Sequence, residues 1–318
     1  MKTQTPKIPT NRLQRTRLYN FVFIPVALLI LYVIVPQLQQ FDSAVTAAKN
    51  ANTFLIVSAG FCIVLSVMAA AAVYVALAQK PVRYRDSVMV QTAGMFVNRL
   101  LPAGIGGMGL SADFLYKHKH TFARSVAIVA LNNTLTFAGH MLLLLVVFAA
   151  GLASMPDVVV PDVPVWAVGC VVVALGLTAA LLSTTFLRKL QSFLVDFVRA
   201  LVLYRTQKAR VLRALGFALC NTLGHAAALF LCMQGFHLDL VVAVALIALS
   251  GGVAAASITP TPGGLLGSEA GITAVLISYD VAAGTALAVA LSYRLVSYWL
   301  PLLPGALAFW YAGRRRII

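Results

Sequence analysis

The sequence predicts an all-α polytopic membrane protein built from two inverted-topology repeats, each with about three transmembrane helices and a re-entrant helical hairpin. Three observations carry that prediction. Hydrophobic residues make up 61% of the 318-residue chain and charged residues only 10%, against about 25% charged in an ordinary soluble domain. Short clusters of Lys and Arg separate the long apolar runs, as the positive-inside bias of cytoplasmic loops requires. Two Gly/Pro-broken motifs, one in each half, interrupt otherwise apolar stretches.

The first 18 residues are polar and basic and read as a cytoplasmic N-terminus. The apolar run 19–35 exceeds the ~7–15 residues of a signal-peptide core, and the small residues at 44–48 lie well beyond it, so an uncleaved first crossing is expected. Further runs at 54–78, 126–152, 165–186, 211–236 and 282–312 each supply the ~20 residues a bilayer crossing demands. The broken stretches lie between them, at about 88–116 and 240–279.

Loop charge then orients the chain. Lys80, Arg83, Arg85, Lys117, Lys119 and Arg124 place both ends of the first broken stretch in the cytoplasm. Asp157 and Asp162 mark an external loop, and the cations from Arg188 to Arg213 bring the chain back inside. His237, Asp239 and Asp280 put both ends of the second broken stretch outside, before Arg314, Arg315 and Arg316 return to the cytoplasm. The plan is therefore a first repeat at 19–153 and an upside-down second repeat at 154–318, with both termini cytoplasmic in a plasma membrane. Within the second repeat, about 188–206, Leu190, Leu194, Phe197, Leu201 and Tyr204 share one helical face. An interfacial helix and a solvated connector both fit that segment.

Composition excludes several functions. The net charge of +15 is accounted for by membrane loops, so nucleic acid is not an expected partner. Cys62, Cys170, Cys220 and Cys232 sit singly in apolar runs, where Cys packs as a small hydrophobe, and neither a disulfide framework nor a metal site is indicated. Gly104-Ile-Gly-Gly-Met-Gly109 spells the dinucleotide fingerprint, but no strand precedes it and no acid follows about 20 residues on, so no cofactor is expected. No nucleophile–base pattern of an enzyme is present.

The broken motifs are Asn98-Arg-Leu-Leu-Pro-Ala-Gly-Ile-Gly-Gly-Met-Gly109 and Thr259-Pro-Thr-Pro-Gly-Gly-Leu-Leu-Gly-Ser-Glu269. Paired interruptions of this kind point to a substrate site, because unpaired backbone at membrane depth needs a protein-lined or wet cavity. A helix is expected to restart after each turn, capped by Ser111 in one case and Ser268 in the other, with Glu269 in a first turn. Free N–H groups at such an end attract anions. Gly106, Gly107, Gly263 and Gly264 are expected to allow the turns, and Gly106-Gly107 can be laid on Gly263-Gly264. Arg294 lies deep in the last apolar run, where a cation marks a functional site by default; Glu269 is its expected partner. A lipid phosphate and a purely structural ion pair both remain open for it. Asp113 and Arg99 flank the first turn and are assigned corresponding parts, with snorkelling to the interface as the alternative for Arg99. His140 and His225 are ranked first as hydrogen-bonding links between helices, with a proton relay as the alternative.

The segments Leu100-Leu-Pro-Ala-Gly-Ile-Gly-Gly107, Thr261-Pro-Gly-Gly-Leu-Leu-Gly-Ser-Glu269, Ala282-Ala-Gly-Thr-Ala-Leu-Ala-Val289 and Tyr293-Arg-Leu-Val-Ser-Tyr-Trp-Leu-Pro301 resemble the membrane region of lysylphosphatidylglycerol synthase (multiple peptide resistance factor), including its stand-alone flippase-like members. The resemblance implies inverted repeats around a cavity and movement of a phospholipid or other lipid, here an anionic headgroup, between leaflets. Relatives commonly carry an Arg in the third crossing, where this chain has Asn132-Asn133-Thr134. A different class of function, a non-transporting membrane subunit serving a lipid-modifying or glycosyl-transferring enzyme, fits the same residues. Membrane lipids are the expected partners in either case, and a homo-oligomer is compatible with the sequence.

Overall fold

The structure is a computed structural model that describes residues 46, 49, 51–100, 105–154, 195, 197–199, 202–259, 261, 263–315 and 317–318. The N-terminal segment 1–18, the crossings expected at 19–35 and 165–186, and most of the 188–206 helix lie outside the described residues. The regular structure of the described residues is helical, with no strand among them.

Nine helices are used below: α1 Thr53–Leu77, α2 Tyr84–Leu100, α3 Ile105–Lys117, α4 Phe122–Ala149, α5 Lys208–Gly235, α6 Val242–Ile258, α7 Gly267–Ser278, α8 Ala283–Arg294 and α9 Leu302–Arg314. A π-helical turn, Leu295–Trp299, joins the last two. Four stretches among the described residues are long and apolar enough to cross a membrane: α1, α4, α5 and the rod Ala283–Arg314. The chain is a multi-pass membrane protein. Large apolar side chains such as Phe54, Phe137, Leu145 and Leu303 stand exposed on these helices, which lipid rather than water tolerates.

Local chemistry sets the helix starts. Asn52 accepts from the N–H groups of Phe54 and Leu55 and caps α1, and Thr121 accepts from Arg124 and caps α4. Small residues set the packing. α1 runs antiparallel to α5, where a methyl on Gly224 would lie 2.8 Å from Ser66 Cβ and the Asn52 N–H meets the Gly235 carbonyl at 2.7 Å. The main core lies around α5, α6, α7 and α8, with Leu229, Met233, Ile272 and Val289 fully buried.

Two helical hairpins carry the broken motifs. In the first, α2 and α3 run antiparallel, Gly94 opposite Gly107 and Val97 opposite Gly106. In the second, α6 and α7 do so, Gly251 opposite Val275 and Thr259 opposite Gly267. Hydrogen bonds group the connections at two ends. At one, Tyr204 Oη donates to the Leu77 carbonyl at 2.6 Å and the Lys80 N–H donates to His120 Nε2 at 3.3 Å. At the other, Tyr279 Oη donates to the Ser154 carbonyl at 2.5 Å, and Asn52 meets Gly235. The α2–α3 hairpin starts and finishes at the first end, the α6–α7 hairpin at the second.

Candidate functional site

The second motif folds as a true chain reversal. Gly263 and Gly264 take φ of +65° and +64°, and Leu266 takes +69° just before α7. Glycine is required at both Gly positions, since only it enters the left-handed region freely. Space reinforces the need: a Cβ on Gly264 would sit 2.5 Å from Ala256 Cβ, and one on Gly263 would collide with the Tyr298 ring. Leu266 has no such freedom, and holding it there costs ~1–3 kcal/mol. The turn is tied internally by Thr261 Oγ1, which donates to the Leu265 carbonyl at 2.7 Å.

This reversal starts α7 with Glu269 in its first turn, facing the last residue of α8. Arg294 Nε donates to Glu269 Oε1 at 2.8 Å, and an Arg294 terminal nitrogen donates to the Gly263 carbonyl at 3.1 Å. The pair is deeply buried, Arg294 being 9% and Glu269 5% exposed. Glu269 Oε2 and Thr273 Oγ1, one turn apart on α7, have no hydrogen-bond partner among the described residues.

Immediately after Arg294 the helix widens to π spacing, with the Leu300 N–H bonded to the Leu295 carbonyl at 2.8 Å. Pro301 has no N–H to return to the Ser297 carbonyl. Arg99 replaces it from the end of α2, donating to the carbonyls of Ser297 at 3.1 Å and Tyr298 at 2.8 Å, and also to Met95 of its own helix. The Arg99 guanidinium carbon lies 4.6 Å from the Tyr298 ring centroid, and that of Arg294 lies 4.2 Å from it. Among the described residues, two guanidinium groups therefore meet at one ring with a single carboxylate beside them, an excess of one positive charge.

A match to the family described as the lysylphosphatidylglycerol synthase TM region spans residues 21–305 and contains every residue of this cluster. The chain belongs to that family. No individual curated protein matches the chain.

The cluster brings together Arg294, Glu269, Gly263 and Arg99, with Gly264 and Ser268 in its supporting backbone; the Ser268 N–H bonds the Gly264 carbonyl at 3.1 Å. Ser268 lies inside α7 and is not its cap, because Leu266 occupies that position without a side-chain bond. Ser111 is likewise no cap. α3 begins at Ile105, and Ser111 sits buried in its middle, accepting from Gln91 Nε2 at 3.2 Å. Gly106 and Gly107 are helical residues that let α3 press against α2: a methyl on Gly106 would meet Val97 at 2.6 Å, and the Gly107 N–H bonds Asn98 Oδ1 at 2.6 Å. Asp113 is not part of the cluster. It pairs with Lys117 at 3.1 Å on an exposed face, lining a cavity of about 450 Å³ with Trp310 and Arg314. A second cavity of about 520 Å³, beside Arg210 and Arg213, does not include the buried ion pair in its lining either.

Tyr298 was not singled out by sequence reasoning. Its signal was its spacing, four residues after Arg294 and thus on the same helical face. Asn132 and Asn133 contact Tyr74 and Met108, so the cation that the first half brings to the cluster is Arg99. His140 bonds Ser250 at 2.8 Å, and His225 bonds Tyr293 at 3.0 Å and Ser66 at 3.4 Å, each joining helices. Among the described residues no three His, Cys, Asp or Glu side chains gather as a metal site.

Proposed function

We propose that the protein is a flippase-like carrier in the plasma membrane that moves an anionic phospholipid headgroup between leaflets, the tails remaining in lipid. The observation that carries this reading is the cluster of a half-buried Arg99 and a buried Arg294 on Tyr298 with, among the described residues, only Glu269 beside them to balance the charge. A guanidinium offers a planar, two-pronged donor suited to phosphate. A buried excess of positive charge favours an anionic ligand over a neutral one.

The architecture supports the same reading. α1 and α5 occupy corresponding places in the two halves and pack antiparallel, as an inverted repeat about an axis in the membrane plane demands. The hairpins start from opposite ends, which fits re-entrant elements meeting near mid-membrane. Loop charge puts the Lys80–His120 end in the cytoplasm, together with both termini. On this reading the protein is a carrier and not an enzyme, and its partners are membrane lipids.

The test is translocation by the purified protein in liposomes carrying labelled phosphatidylglycerol, phosphatidylethanolamine or phosphatidylcholine, read by quenching of the outer-leaflet label. Faster translocation of the anionic lipid is the expected result. No translocation of any lipid would favour the alternative, a non-transporting subunit serving a lipid-modifying or glycosyl-transferring enzyme.

A further inference from the structure

The unpartnered Glu269 oxygen has a consequence for how transport is driven. Arg294 holds Oε1 only, while Oε2 is buried without a donor among the described residues. When a lipid phosphate takes the Arg294 guanidinium, the carboxylate loses its hydrogen-bonded cation in a buried site. Arg99 is held by the Tyr298 ring and carbonyl and not by Glu269, and a buried charge without a direct partner is costly. Taking a proton on Oε2 removes that cost. We propose that Glu269 is a proton-binding site and that the carrier moves one proton together with each anionic lipid.

The step balances. The Arg294–Glu269 ion pair breaks, a guanidinium–phosphate pair forms, and a proton from water on the entry side forms an O–H bond at Oε2. On the exit side the phosphate leaves, the proton returns to water and the ion pair re-forms. The other charged or titratable groups around Glu269 are few. α6 contributes none, α8 contributes Tyr293 and Arg294, the π turn contributes Tyr298, and α2 contributes Arg99 across that ring.

Charge bookkeeping sharpens the proposal. Empty, the cluster holds two guanidinium cations and one carboxylate; loaded, it holds the same two cations, one phosphate and a neutral acid. Its net charge is unchanged. A pH gradient should therefore drive lipid movement and a membrane potential should not. With one proton per lipid, a gradient of one pH unit shifts the leaflet ratio about tenfold toward the more alkaline side.

The proposal rests on the transport reading, and two measurements separate them. In weakly buffered detergent solution, short-chain phosphatidylglycerol added to the wild-type protein should cause uptake of about one proton per lipid bound. Glu269→Asp should keep that ratio and Glu269→Gln should lose it, each normalised to the lipid bound. In liposomes, a pH gradient should redistribute labelled phosphatidylglycerol as stated, and a potassium–valinomycin potential should leave it unmoved. Binding without proton uptake overturns the proposal, as does a leaflet shift that follows potential and ignores pH. Proton uptake on binding without translocation leaves Glu269 as a proton-binding site but defeats both the transport reading and co-transport. Translocation without proton linkage defeats this inference alone, and no lipid binding at all defeats both.

Discussion

Arg99 and Arg294, from opposite halves of the chain, meet at one phenol ring, their guanidinium carbons 4.6 and 4.2 Å from the centroid of Tyr298. Two like charges are held together there by a ring quadrupole, by backbone carbonyls and by one carboxylate. Each cation–π contact contributes about 0.5–2 kcal/mol, so the ring adds to the packing of α2 on the last helix, where Gly305 meets Phe96 and Phe96 meets Phe309.

Substitution at Tyr298 should therefore follow the ring and not the hydroxyl. Tyr298→Phe should retain most of the thermal stability in detergent, whereas Tyr298→Leu should lose about 1–3 kcal/mol. Equal stability of the Leu variant and wild type would remove the ring from the account.

Breaking the ion pair should be worse than removing it. Arg294→Ala or Glu269→Ala alone should destabilise by about 3–5 kcal/mol, through the uncompensated charge left behind. The double variant should recover much of that stability but not lipid translocation. Arg294→Lys should also impair translocation, because an ammonium cannot grip phosphate with two prongs. Wild-type flipping by the double variant would reduce the pair to a structural lock.

Glycines should sort by geometry. Gly264→Ala meets both the left-handed backbone and Ala256, and should cost about 1–3 kcal/mol. Gly109→Ala, in α3 with open space around it, should be neutral or stabilising by up to about 1 kcal/mol. Gly264→Leu should abolish transport. Thermal unfolding and liposome assays on these variants check the order.

Single cysteines should report the two ends. Cysteine at Ser154 or His237 should react with an impermeant external reagent, and cysteine at Arg85 or Lys119 should not. External labelling at Lys119 would reverse the reading of the α2–α3 hairpin.

A pH effect should arise at the other end of the molecule. His120 is buried outside the spans; its Nδ1–H donates to the Leu115 carbonyl at 3.0 Å and its Nε2 accepts from Lys80. Burial holds its basicity below the ordinary value of 6.5. The unfolded chain binds the proton more readily, so this contribution is complete above about pH 6.5 and is lost as pH falls through the depressed folded value. The melting temperature should drop on acidification, and His120→Gln should flatten that part of the profile.

The spans were legible because length and apolarity are properties of single segments. The expected runs 54–78, 126–152, 211–236 and 282–312 fall on α1, α4, α5 and the rod Ala283–Arg314 to within a few residues. The Arg294–Glu269 pair was legible for a related reason: a deep cation demands a partner, and few acids were on offer. Packing was not legible. Helices solvated by lipid carry little polar–apolar contrast between faces, so nothing in the sequence told a turn glycine such as Gly264 from a contact glycine such as Gly107. Nor did it reveal that Pro301 would strip a donor from Ser297 and open a place for Arg99.

The α6–α7 crossing makes the second hairpin rigid. A methyl on Gly271 would collide with the Gly251 carbonyl, and one on Gly252 would lie 2.7 Å from Ile272. Backbones meshed this closely cannot slide past each other or part without losing their whole contact. The two helices therefore form one stiff unit, bounded at its two ends by the left-handed residues His237 and Asp280, with φ of 59° and 60°.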